Sequence, residues 1–176
     1  MSESQHPDVR DIDPLAFAWQ THAAIQQWTA NVDIKASIVL VVEVAVTGSA
    51  LRELISPDGQ LHTATGLHLG VAITACVLLV LGVALALWTV FPRLKRQRTL
   101  ALSASGLVYF GHLANREAED IGKALRDLDG EAALAQMAGQ LAVTGKVAWE
   151  KHSYLQYSII AFAVAVSVLL LALVAF

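Results

Sequence analysis

Apolar side chains gather into three long runs, separated by polar stretches of very different length. Residues 66–91 carry no formal charge apart from a possible one on His68, and residues 153–176 carry none. Each run exceeds the roughly 20 apolar residues that a helix needs to cross about 30 Å of hydrocarbon, so both are predicted transmembrane helices. The third run, residues 34–55, is less clean. Glu43 interrupts it, and Arg52 and Glu53 stand at its end. Taken alone it fits an interfacial helix as well as a span.

The polar stretches carry helical signals of their own. Asp13 followed by Pro14 reads as an N-cap and first helical residue, after which Leu15, Ala18, Trp19, His22 and Ile25 recur at helical spacing. An amphipathic helix is therefore predicted in the N-terminal arm, residues 1–33. Between the second and third runs, Ile121, Leu125 and Leu128 form one stripe before the break "LDGEA", and Leu134, Met137, Leu141 and Ala148 form another. No proline interrupts residues 131–176. The second stripe and the last span are thus predicted as one helix of roughly 45 residues, near 70 Å long at about 1.5 Å per residue.

Composition supports the membrane reading. Of 176 residues, 56% are hydrophobic and only 15% charged, with a mean hydropathy of +0.56. A soluble domain of this size has no core large enough to bury that much. Twelve Lys and Arg against 15 Asp and Glu give a net charge of −3, so no global basicity points to nucleic acid. The basic residues cluster locally instead. "PRLKRQR" directly follows the second run, whereas "SPDGQLHTAT" between the first two runs has no Lys or Arg. The asymmetry puts residues 56–65 outside and residues 92–152 in the cytoplasm, and favours counting 34–55 as a span. An N-terminal signal peptide is not evident, so a cytoplasmic N-terminus is expected, with an odd number of spans leaving Phe176 outside. The expected fold class is an all-α membrane protein with three transmembrane helices, 34–55, 66–91 and 153–176, plus the amphipathic arm and a helical cytoplasmic segment.

Catalytic chemistry finds little support. The six histidines fall in different segments with no i,i+4 pair, the single Cys76 excludes an intramolecular disulfide and a thiolate cluster, and neither a Gly-x-Ser-x-Gly elbow nor a P-loop occurs. No catalytic residue, metal ligand or cofactor is expected. The charges in the first run are more informative. Glu43 shares a helix face with Ala36, Val39, Thr47 and Ala50, a small and partly polar stripe suited to facing other helices. It is either neutral in a packed bundle or exposed to water in a pore. Asp33 and Lys35 point to different faces. Lys35 can snorkel to headgroups, and Asp33 can hold a basic residue such as Lys146 or Lys151. Gly66 and Gly70 at the start of the second run, and Ala161, Ala165 and Ser167 in the third, suggest helix packing.

Several short motifs occur together at span boundaries. "TANVDIKASIVL" carries Trp28 just before it and places Asp33, Lys35, Ala36 and Ser37 at the start of the first span. "VFPRLK" ends the second, "LVYFGHLA" spans residues 107–114, and "GQLAVTGKVAWEKHSYL" brings Gln140, Ala148 and Lys151 to the last. In order and placement the chain resembles the transmembrane effectors of Pycsar antiphage systems, with Asn31-Val32 where those carry Ala. The resemblance covers most of the chain from Trp28 onward. It implies a multi-pass bacterial inner-membrane protein paired with a pyrimidine cyclase, without implying direct contact between the two. It also implies activation by cyclic UMP or cyclic CMP, impairment of the membrane and abortive infection.

No cyclic-nucleotide-binding β-barrel is recognisable, so a ligand site has to come from the helical inner segment. Arg93, Arg96 and Arg98 are candidates to pair with a cyclic phosphate, and equally a topology determinant and an anionic-lipid contact. Tyr109 and Phe110 offer stacking, Gly111 (with Gly106) close backbone approach, and His112, Asn115 and Arg116 polar contacts. Either ring also fits simple packing against a neighbouring helix. Asp33, Lys35, Glu43 and Lys151 are the candidates for coupling or for a pore. Three spans are too few to enclose a wide aqueous path, so a pore implies a homo-oligomer. The competing reading is a constitutive small membrane scaffold that binds a partner protein and senses no nucleotide.

Overall fold

The computed structural model describes residues 12–91, 106–114 and 116–174, with side chains to residue 172. Among them the chain forms α1 (Pro14–Ile55), α2 (Gly66–Val90), α3 (Phe110–Leu113), α4 (Ala118–Arg126) and α5 (Gly130–Val174), and no strand. α1, α2 and α5 each hold a stretch long and apolar enough to cross a membrane. The protein is an all-α membrane protein.

Local chemistry sets the helix ends. The carboxylate of Asp13 accepts from the N–H groups of Leu15 and Ala16 at 2.9 and 3.3 Å, capping α1 with Pro14 in its first turn. Asp129 does the same for α5, accepting from the Ala132 N–H at 2.7 Å, so the "LDGEA" break is an N-cap. Between Pro14 and Gly48 no glycine or proline weakens the helix, and α1 passes through the arm-to-span boundary at residue 33 without a break. α5 likewise joins the inner stripe to the last span in one helix of 45 residues. α2 begins at Gly66, whose φ of 58° is a left-handed conformation that a side chain would strain.

The chain divides into two compact units, residues 1–26 with 94–145, and residues 27–93 with 146–176. In the first unit, Ala18, Tyr109 and Met137 are buried. Gln136 of α5 accepts the Leu107 N–H through its side-chain oxygen at 2.8 Å, which fixes the turn leading into α3.

The second unit packs its parts of α1, α2 and α5 in three layers. At one end Val32, Ala36 and Leu155 form an apolar cluster, flanked by Val39 and Val90. At the other, Ala50, Cys76, Leu79 and Ala165 form a second, flanked by Val46, Phe162 and Leu169 among others. Residue numbers rise from the first cluster to the second on α1 and α5 and fall on α2, so α2 runs antiparallel to the other two. Outward positions are apolar as well: Ile38, Val41, Val77, Ile160 and Leu171 all present more than a third of their surface, as lipid-facing residues do. Beyond α1 the loop folds back on the helix end. Glu53 accepts the Gln60 N–H at 2.9 Å, Leu61 is buried, and Gly59 lies so close to the Glu53 carbonyl that a side chain there would collide with it.

One packing expectation is corrected. A methyl group added at Gly66 or Gly70 would meet nothing within 4 Å, so this GxxxG makes no close helix crossing within the chain. The tight position on α2 is Gly82, in the middle layer.

Candidate functional site

The middle layer of the second unit is polar. Glu43 of α1 and Ser158 of α5 are both wholly buried, and Thr47 nearly so. The Ser158 hydroxyl lies 2.7 Å from Glu43 Oε1 and 3.1 Å from the Gly82 carbonyl oxygen. With one proton it serves one of these acceptors at a time. The approach opposite is tight: a Cβ at Gly82 would stand 3.3 Å from Glu43 Oε1, and the carboxylate would have to give by a few tenths of an ångström. Glu43 Oε2 and Thr47 Oγ1 are buried with no hydrogen-bond partner. Polar groups are costly to bury in an apolar surround, so one rotation and register of the three helices is favoured over its neighbours. The Glu43 side chain is therefore enclosed by one chain's own helices, the face predicted from Ala36, Val39, Thr47 and Ala50.

About ten residues nearer the start of the unit, some 15 Å along α1, lies an ion pair. Lys151 Nζ donates to both carboxylate oxygens of Asp33, at 2.8 Å to Oδ2, with the lysine side chain 19% and the aspartate 39% exposed. Lys146, the other partner considered for Asp33, is exposed, as is Lys35. Trp28, Trp88 and Trp149, one on each helix, are 58%, 56% and 76% exposed at the same end of the unit. Exposed tryptophans at one level form the aromatic belt of a membrane surface. The Asp33–Lys151 pair sits at that level, and the Glu43 layer lies further along the apolar stretch of α1.

In the first unit, the stretch from Gly106 to Arg116 is built around Tyr109. Its ring, 8% exposed, packs against Phe110 at a centroid distance of 4.8 Å and edge-on to His112 at 5.3 Å. His112 Nδ1 accepts the Gly106 N–H at 3.3 Å. A methyl group at Gly111 would run into the Tyr109 ring, so this glycine admits the protein's own tyrosine. Of the two candidate stacking rings, only Phe110 is open, at 60% exposure. His112 and Arg116 are half-buried nearby in sequence. Arg93, Arg96, Arg98 and Asn115 lie outside the described residues.

Cavities of about 330 and 310 Å³ in the second unit are walled by apolar side chains with Ser49 and Glu53, and no basic residue lines either. They suit lipid chains better than a nucleotide. Among the described residues no group of three or more His, Cys, Asp or Glu could hold a metal ion. Sequence reasoning missed Ser158, Gly82 and Gln136. The first two are polar or small positions inside apolar runs, and asking what could satisfy Glu43 would have singled them out.

Comparison with known proteins agrees with this architecture. The family model for the Pycsar effector protein domain matches residues 17–176, from the first turn of α1 to the end of the chain. No curated protein and no solved structure matches. A match that takes in all three apolar helices and both polar junctions between them leaves one conclusion: the chain belongs to the Pycsar effector family and is a membrane effector of antiphage defence.

Proposed function

We propose that the protein is switched on by a cyclic pyrimidine mononucleotide, cyclic UMP or cyclic CMP, supplied by a partner pyrimidine cyclase during infection. The first unit senses the nucleotide. The second unit then impairs the inner membrane, as an oligomer, and the infected cell stops growing. The N-terminus is cytoplasmic, which places Trp28, Trp88 and Trp149 at the inner leaflet and the 56–65 loop outside.

The observation that carries this reading is the continuity of α1 and α5, each of which supplies residues to both units without a helix break. A nucleotide that binds one arrangement of the first unit better than another shifts the population of helix positions, and the same helices carry that shift into the spans. Asp33 and Lys151 tie α1 to α5 just inside the second unit, so the two helices respond together. Phe110 offers a stacking face, and Arg116 and the basic residues 93–98 are the groups to meet a cyclic phosphate.

Calorimetry on the full chain in detergent tests sensing, with cyclic UMP and cyclic CMP as ligands and cyclic AMP as control. Dye uptake in cells producing the protein with and without a pyrimidine cyclase tests the membrane step. Absence of binding by either pyrimidine nucleotide to folded protein favours the scaffold reading.

A further inference from the structure

Within the middle layer of the second unit, a carboxyl group has no positive partner. Glu43 is wholly buried. Ser158 reaches Oε1, while Oε2 has no hydrogen-bond partner. Thr47, one turn further along the same face of α1, also holds a buried and unpartnered oxygen. Two orphaned oxygens on one face are unusual, because buried polar atoms are nearly always satisfied.

The other titratable groups on the three helices do not serve Glu43. Asp33 and Lys151 hold each other. Cys76 belongs to the apolar cluster. Glu53 accepts from Gln60, and His68 and His152 meet the carbonyl oxygens of Ala172 and Ala148. Lys35 and Arg52 are exposed, as is Tyr157 at 58%. Tyr154, half-buried, lies a full turn before Ser158 on α5. None of these groups makes a hydrogen bond to Glu43 Oε2. An uncompensated carboxylate at this depth is strongly disfavoured.

We propose that Glu43 Oε2 and Thr47 Oγ1 form a site for one monovalent cation, a proton or an alkali-metal ion, that neutralises the carboxylate while the three spans are packed. A proton sits on Oε2 alone. An alkali ion would take both oxygens, hard donors one turn apart on the same face of α1. Either cation binds the packed bundle more tightly than the unfolded chain, whose Glu43 reaches water, and so stabilises the packed state by mass action. The site stands apart from nucleotide sensing.

The test uses the full chain in nanodiscs of zwitterionic lipid, as wild type, Glu43→Gln and Thr47→Val. Thermal unfolding is followed with sodium chloride replaced by choline chloride at constant ionic strength, and across pH. Infrared spectra at neutral pH report protonated carboxyl groups. For an alkali ion, sodium raises the wild-type midpoint by about 3 °C or more, and both variants lose the response. For a proton, a protonated-carboxyl band is present in wild type and Thr47→Val but absent in Glu43→Gln, which also loses part of the stabilisation at lower pH. Wild type and Glu43→Gln with the same sodium and pH responses, and no difference in that band, overturn the proposal. If Glu43→Gln fails to insert, the wild type decides alone: neither a sodium response nor a protonated-carboxyl band means that the site holds no cation.

Discussion

Lys151 closes on both carboxylate oxygens of Asp33, 118 residues away in the chain, and so joins the first and last membrane helices at the level of their tryptophans. The pair is half-exposed, and its effect on stability is correspondingly modest. Its position matters more, because it fastens the two helices that supply both units.

Breaking the pair is expected to weaken coupling rather than folding. Asp33→Asn and Lys151→Met should each lower stability by about 1 kcal/mol, with a double-mutant coupling energy of similar size. Both should retain nucleotide binding and reduce dye uptake, and the exchange Asp33→Lys with Lys151→Asp should restore part of it. Full wild-type dye uptake from both single variants at matched membrane levels would make the pair a bystander.

Gly82 is expected to be intolerant in a way that Gly70, on the same helix, is not. A methyl group at Gly82 presses on Glu43 Oε1 at 3.3 Å and approaches the Ser158 carbonyl oxygen at 3.6 Å, whereas at Gly70 it meets nothing. Gly82→Ala should cost about 1–3 kcal/mol. Gly70→Ala should be neutral or stabilising by up to about 1 kcal/mol. Thermal unfolding of the two variants side by side checks the contrast.

Nucleotide affinity is expected to depend on Phe110 directly and on Gly111 through the fold. Phe110→Ala removes the open ring of the motif and should weaken binding about tenfold or more, with helix content unchanged. Gly111→Ala drives a methyl group into the Tyr109 ring and should disturb the local turn as well. Calorimetry paired with circular dichroism separates the two effects. Unchanged affinity in Phe110→Ala places the ligand elsewhere.

Topology is expected to follow the basic residues. In a Cys76→Ala background, Asp58→Cys should react with a membrane-impermeant thiol reagent added outside, and Gly130→Cys only after the membrane is opened. Asp58 is chosen over its neighbour Gly59, which is buried against the Glu53 carbonyl. Labelling of both cysteines from the same side would remove the first helical hairpin.

Much of this protein is written locally. Length and hydropathy give the spans, Asp13 and Asp129 give the starts of α1 and α5, and the absence of proline makes α5 one helix, because each depends on a helix's own backbone and its neighbours in sequence. The boundary motifs carry the family resemblance for the same reason. Rotation and register are another matter. A membrane helix is apolar on all sides, so its sequence hardly marks which face turns inward. The small-residue stripe around Glu43 marked a face but not the groups opposite it, and only packing brought Ser158 and Gly82 there. Asp33 had two lysines to choose from, five residues apart and hence on different faces of α5, and the rotation of that helix selected Lys151. The sequence by itself determined which segments are helical, long and apolar enough to cross a membrane. Only the tertiary structure decided which side chains meet there, because pairing depends on contacts between helices that no single helix encodes.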